Sequence, residues 1–163
     1  MMRFLPLIVM ALALALFAVL LAQPKVPAIG RTGQTVPNVD LLARDGLREP
    51  LLNGRVQVIN VFASWCVPCA AEMSKLKELQ QGGIDVVGLV YKDKWDAVNN
   101  FLKKYGNPYQ ALLMDDGGKA AIALGLTGVP ETFVIDGSGT VIWHTPGALS
   151  DDQVAEIRQS VRR

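Results

Sequence analysis

Two cysteines separated by two residues, Cys66 and Cys69, are the only thiols among 163 residues, and they stand where an apolar run hands over to a helical pattern. Val56 to Ala63 is apolar apart from Gln57 and Asn60, as expected of a strand buried in the middle of a sheet. From Cys66 to Gln81 apolar residues recur at helical spacing, and Gly82-Gly83 ends the run. A strand that delivers a dithiol to the first turn of a helix constrains what can be built around it. Ile84 to Val90 reads as a second buried strand. Trp95, Val98, Leu102 and Tyr105 mark a second helix, Tyr109 to Met114 a further strand, and Lys119 to Leu126 a compact apolar helix. Thr132 to Ile135 and Val141 to Trp143 form strands around the loop Asp136-Gly137-Ser138-Gly139. Ser150 and Gln153 make a capping box for a last helix whose buried stripe is Val154, Ile157 and Val161. The alternation βαβα followed by ββα predicts an α/β fold, a mixed central sheet flanked by helices on both faces. Between Val36 and Leu52, Asp45-Gly46 and Asn53-Gly54 suggest a small hairpin or extended edge before the central strand.

The spacing of the cysteines admits several chemistries, and the rest of the chain removes most of them. A structural zinc site needs about four ligands, but His144 is the single histidine, so thiols and imidazole together number three. Haem attachment needs a histidine directly after the second cysteine, and Ala70 stands there. A purely structural disulfide is the plain alternative, although a ring this small constrains the unfolded chain little. The strand-to-helix setting favours a redox-active disulfide, Cys66–Cys69, with no further cofactor. Cys66 falls at the helix start, where unpaired N–H groups and the helix dipole stabilise a thiolate, so it is the expected attacking sulfur and Cys69 the resolving one. Pro68 removes an N–H early in the helix, where little is lost. Trp65 is either an apolar wall beside the thiol or a core residue. Taking Cys69 as zero and about 100° per residue, Leu76 lies near −20°, Leu79 near −80° and Glu72 near −60°. The Glu72 carboxylate therefore belongs to the apolar arc, away from Ser74, Lys75 and Glu78. A carboxyl there is expected to have a raised pKa and to exchange a proton with Cys69 through water; the alternative is a rim carboxylate that reaches solvent.

The head of the chain bears on location. Phe4 to Ala22 is a run of 19 uncharged residues, about the length that spans a bilayer's hydrocarbon core. Leu20-Leu21-Ala22 is a poor match to a signal-peptidase site, so residues 1–22 are expected to be an uncleaved membrane anchor. Residues 23–35, with Pro24, Pro27, Gly30 and Gly33, read as a linker, and 36–163 as a single domain. Arg3 precedes the apolar run while Lys25 and Arg31 follow it, so charge does not orient the segment. The export-like head and the dithiol place the domain outside the cytoplasm. Of the 16 basic residues only Arg3 precedes Gln23, leaving 15 against 15 acidic residues, with no basic run; a nucleic-acid partner is not expected.

Asn60-Val61-Phe62-Ala63-Ser64-Trp65-Cys66 resembles the strand that enters the active site in the thioredoxin superfamily, and Gly128-Val129-Pro130-Glu131-Thr132-Phe133 resembles its loop with a cis proline facing the dithiol. Val87-Gly88-Leu89-Val90-Tyr91-Lys92-Asp93 and Phe101-Leu102-Lys103-Lys104-Tyr105-Gly106-Asn107-Pro108-Tyr109 are similar to the membrane-tethered DsbE/CcmG thiol:disulfide interchange proteins of cytochrome c maturation. The resemblance implies a thioredoxin-like fold preceded by an N-terminal transmembrane helix. It also implies a cis Val129–Pro130 bond and a place for both Glu72 and Glu131 beside the dithiol, with Trp65, Pro68, Val129 and Pro130 meeting the substrate. By the same resemblance the protein would reduce disulfides of apocytochrome c or of haem-ligation proteins, from the periplasmic side of the inner membrane, and be recharged by a membrane electron donor of the DsbD/CcdA type. Two rivals stand beside this reading: a general extracytoplasmic thiol–disulfide oxidoreductase, and a non-catalytic thioredoxin-like binding module. Phe62 replaces a common tryptophan, and His144-Thr145-Pro146-Gly147 departs from a more basic pattern; His144 is expected at an exposed strand end, outside the chemistry.

Overall fold

The computed structural model describes Met10 and residues 32–162. Apart from Met10, the expected anchor over 1–22 lies outside the described residues, as does the linker as far as Arg31. Among the described residues no helix is long and apolar enough to cross a membrane.

Among the described residues seven strands, β1 (Asp40–Ala43), β2 (Arg48–Pro50), β3 (Gln57–Phe62), β4 (Val86–Tyr91), β5 (Ala111–Asp115), β6 (Glu131–Ile135) and β7 (Val141–Pro146), form one sheet in the order β2-β1-β5-β4-β3-β6-β7. Inside it β3 (Gln57–Phe62), buried at every position, pairs parallel with β4 (Val86–Tyr91) and antiparallel with β6 (Glu131–Ile135). Parallel pairing continues from β4 to β5 (Ala111–Asp115). The hairpin expected near Asp45-Gly46 exists as β1 (Asp40–Ala43) and β2 (Arg48–Pro50). β1 also joins the main sheet antiparallel to β5, so this hairpin extends the sheet. On the other side β7 (Val141–Pro146) pairs with β6. The last residues of the expected linker are tied to β7: Gly33 N–H donates to Val141 O, and Val141 N–H donates to Gln34 O.

The two-residue period of β3 sorts the core. Val58 and Phe62 face α1 (Val67–Gln81), α2 (Trp95–Tyr105) and α4 (Asp151–Val161), whose Met73, Leu76, Val98, Phe101, Val154 and Ile157 complete one apolar cluster. Ile59 and Val61 face the other way, toward α3 (Lys119–Leu124), in a second cluster with Leu41, Leu51, Ala120 and Leu124. Among the described residues helices thus cover both faces, three on one and a short one on the other. Elements expected from periodicity are all present, with ends displaced by a residue or three. The Ser150–Gln153 capping box is formed in both directions.

Candidate active site

β3 ends at Phe62, and Ala63 to Trp65 make the turn into α1. Cys66 is the residue that caps that helix, with extended backbone, and its Sγ accepts the N–H of Cys69 at 3.2 Å. Pro68 sits in the first turn, where its missing N–H costs nothing. The two sulfurs are joined in a disulfide with Cα atoms 5.3 Å apart. Both cysteines are buried, whereas Val67 and Trp65 on either side of Cys66 stand in solvent, Trp65 with 58% of its surface exposed. Trp65 is therefore no core residue. Its indole N–H donates to Lys92 O at 3.4 Å, and Ser64 N–H donates to Asp93 Oδ2 at 2.6 Å. The turn that delivers the sulfurs is held by the loop after β4. Lys92 has φ 46° there, a left-handed conformation uncommon for a side-chain-bearing residue.

One helical turn past Cys69, Glu72 is buried, as its helical angle predicts. Asn60 Nδ2 donates to its Oε1 at 2.9 Å, and Leu149 N–H donates to its Oε2 at 3.2 Å. Asn60 lies on the same face of β3 as Val58 and Phe62, the face covered by α1, and this brings the amide to the carboxylate. Its Nδ2 also reaches Thr132 Oγ1 at 3.1 Å, and its Oδ1 accepts the Tyr109 hydroxyl at 2.7 Å. Burial pushes the Glu72 carboxyl up to about 7 from an ordinary 4.5, and the two donors only partly offset it. The Tyr109 hydroxyl, buried and facing that carboxylate, is pushed well above its usual range and stays a donor. Its ring stacks on Phe62 at 4.7 Å and packs on Gly88, where an added Cβ would meet the Tyr109 ring at 2.9 Å and Leu112 at 2.7 Å.

The second acidic residue sits differently. Val129–Pro130 is cis, and Val129 packs against the cluster containing Cys66 and Cys69. Glu131 follows and pairs with Val61 in the ladder, so its side chain lies on the α3 face of the sheet, opposite Glu72. Its Oε1 accepts Thr127 N–H at 2.8 Å, the Thr127 hydroxyl, and Gly128 N–H at 3.1 Å. Oε2 is 3.0 Å from His144 Nε2. Burial would raise this carboxyl, but the bonds from His144 and Thr127 outweigh it and hold it below its ordinary value. The expected placement of His144 is overturned: its side chain is 3% exposed and bonded to Glu131. Strand β7 continues through His144 to Pro146, which turns the ring inward onto Phe133, its partner across the ladder. Among the described residues no group of three or more acidic, cysteine or histidine side chains could hold a metal ion.

Residues 31–161 match the redoxin family model. HelX, a thiol:disulfide interchange protein of Rhodobacter capsulatus, is 36% identical over 160 residues, 94% of this chain and 90% of that protein. The thiol:disulfide interchange protein DsbE of Escherichia coli is 38% identical over 123 residues, 72% of this chain and 66% of its own length. The chain belongs to the redoxin family, among the DsbE-type thiol:disulfide interchange proteins. It is a thiol–disulfide oxidoreductase. A solved Chlorobium tepidum protein assigned as DsbE superposes with a TM-score of 0.68 at 25% identity, covering 80% of this chain and 95% of that one. The structure of MTB DsbF shares the fold at a TM-score of 0.67 and 24% identity, over 78% of this chain and 99% of its own. In this oxidoreductase the structure brings Cys66, Cys69, Glu72, Pro68 and Trp65 together around one helix start, with Val129 packed on the same cluster. Glu131 reaches the loop before Pro130 and, among the described residues, makes no hydrogen bond to sulfur. Asn60, Tyr109, Asp93 and His144 join the site only in the structure. For Asn60 the signal existed, a polar residue inside an apolar strand.

Proposed function

We propose that this oxidoreductase is a reductant of protein disulfides in cytochrome c maturation, acting on apocytochrome c or haem-ligation proteins from the periplasmic face of the inner membrane. Residues 1–22 would anchor it, 23–35 would tether it and the domain from 36 would carry the chemistry, with reducing equivalents from a membrane dithiol donor of the DsbD/CcdA type. Support comes from the relatives named above, from the 19 uncharged residues of the head, and above all from one geometric observation. The attacking sulfur caps a helix, and the resolving sulfur lies one turn from a buried carboxyl with a pKa of about 7.

In the reduced protein the Cys66 thiolate, stabilised by the Cys69 N–H and the helix N-terminus, attacks one sulfur of a substrate disulfide. The Cys66–substrate bond forms, the substrate S–S bond breaks, and the departing sulfur takes a proton. Glu72, as carboxylate, then accepts the Cys69 proton through water, and Cys69 attacks Cys66. The Cys66–Cys69 bond closes, the second substrate sulfur leaves and is protonated, and two electrons have passed to the substrate. Trp65, Pro68, Val129 and Pro130 form the apolar rim that receives the chain. No cofactor beyond the disulfide enters these steps.

Trapping tests the assignment. In intact membranes Cys69→Ala is expected to accumulate a mixed disulfide through Cys66 with a CxxCH-bearing chain or a haem-ligation protein. Capture of unrelated exported proteins alone would point to a general oxidoreductase, and no capture at all would leave only a binding module.

A further inference from the structure

Glu131 is a hub with an anchored side and a loose side. The loose side is the surface loop, where exposed Thr127 and Gly128 give three donors to Oε1. The anchored side is β7. His144 presents Nε2 to Oε2 at 3.0 Å, and its ring is stacked on fully buried Phe133, centroids 4.4 Å apart and planes inclined by 24°. The same strand end grips the loop a second time, through Gly147 N–H donating to Pro130 O at 2.8 Å. Without the imidazole donor, Oε2 would be a buried carboxylate oxygen with no partner, a costly state relieved by rotating the carboxylate or admitting water. Either adjustment loosens the bonds to Thr127 and Gly128, which set the backbone leading into Val129–Pro130.

We propose that His144 is a positioning residue for substrate recognition: by clamping Glu131 it fixes the Thr127–Pro130 backbone that receives a disulfide-bearing polypeptide, and it does so without touching either sulfur. The inference rests on the reading that Val129 and Pro130 meet the substrate chain. Nothing in the sequence announces the role, because His144 reaches Glu131 only through the pairing of β6 with β7. The clamp lies on the α3 face of the sheet while Glu72 lies on the other, so recognition and proton transfer are mechanically separate. A defect in the clamp should therefore appear with large substrates and not with small ones.

The test uses the pre-reduced full-length protein, mixed with a disulfide-bonded CxxCH peptide or with oxidised glutathione, together with its reduction potential. In His144→Asn the amide falls short of Oε2; in His144→Gln it has the reach of Nε2. His144→Asn is expected to react about tenfold more slowly with the peptide, a loss typical of small misplacement, while the glutathione rate and the potential stay within about twofold of wild type. His144→Gln should recover the peptide rate. A wild-type peptide rate in His144→Asn, no recovery in His144→Gln, or parallel losses on both substrates with a shifted potential would overturn the proposal. Val129→Ser separates the two layers of inference. A slow peptide reaction in that variant beside a normal His144→Asn removes the clamp and keeps the loop as substrate wall, whereas normal rates in both remove the wall as well.

Discussion

Glu72 and Glu131 are each 1% exposed, yet one is held near neutrality and the other is held ionised. Glu72 lies under α1 on the inner face of the sheet and accepts two bonds, from the Asn60 amide and the Leu149 N–H. Glu131 lies on the opposite face, closer to the surface through its exposed donors, and accepts four, one of them from an imidazole. The comparison teaches that burial alone does not decide the charge of a carboxyl; the number and kind of donors facing it do. A deep carboxyl with few donors can move a proton, and a well-bonded one can hold a loop.

The pH dependence of stability offers the largest test of this contrast. Glu72 has a folded pKa of about 7 against an ordinary 4.5, so its contribution to stability is complete below about pH 4.5 and is lost as pH rises through about 7. Glu72→Gln, which mimics the protonated form, should unfold like wild type near pH 4.5 and be more stable by up to about 3 kcal/mol at pH 8, at about 1.4 kcal/mol per pKa unit. Denaturant titrations at the two pH values measure this. Equal stabilities at pH 8 would mean that the carboxyl is not strained by burial. Kinetics come next: the same variant should close the Cys66–Cys69 bond about 100-fold more slowly at pH 7, the lower end of what a positioned base contributes. Wild type should show a rise through about pH 7 in that step, read by stopped-flow tryptophan fluorescence, and the variant should show none.

Glu131 should show the opposite slope. Its folded pKa is depressed, so its contribution is present above the ordinary carboxylate range and disappears as pH falls through the lower folded value. Protection of the Gly128 amide against hydrogen exchange, taken relative to the intrinsic rate at each pH, is expected to fall on that acidification in wild type and to be low at every pH in Glu131→Ala. The smallest effect belongs to Thr127→Val, which removes one of three donors to Oε1 and should cost about 1 kcal/mol in a stability measurement at pH 7. A larger loss there than in Glu131→Ala would mean that the carboxylate is not what organises the loop.

Much of this site was legible in the chain. The cysteine spacing between a two-sided apolar strand and a helical run indicated the helix start, and the angle of Glu72 relative to Cys69 placed it in the core. Local periodicity carries such information because neighbours on a helix are neighbours in sequence. What periodicity does not carry is contact between different elements. Asn60 meets Glu72 12 residues away and Tyr109 49 residues away, and neither contact follows from periodicity. The apolar pattern ends the strand at Trp143 and leaves His144 at an exposed end; in the structure β7 runs on to Pro146, and the β6–β7 register brings the ring onto Phe133 and Glu131. The face on which Glu131 lies likewise depends on its pairing with Val61, which no spacing reveals.

Gly88 takes part in no bond-making step, yet it has no room for even a methyl group, because the Tyr109 ring and Leu112 already fill that volume. Any side chain there would push the phenol from Asn60, and Asn60 is one of the two groups that moderate the proton affinity of Glu72. The acidity of the reacting centre is therefore set in part by a residue with no functional group, through the room it leaves to the Tyr109 ring.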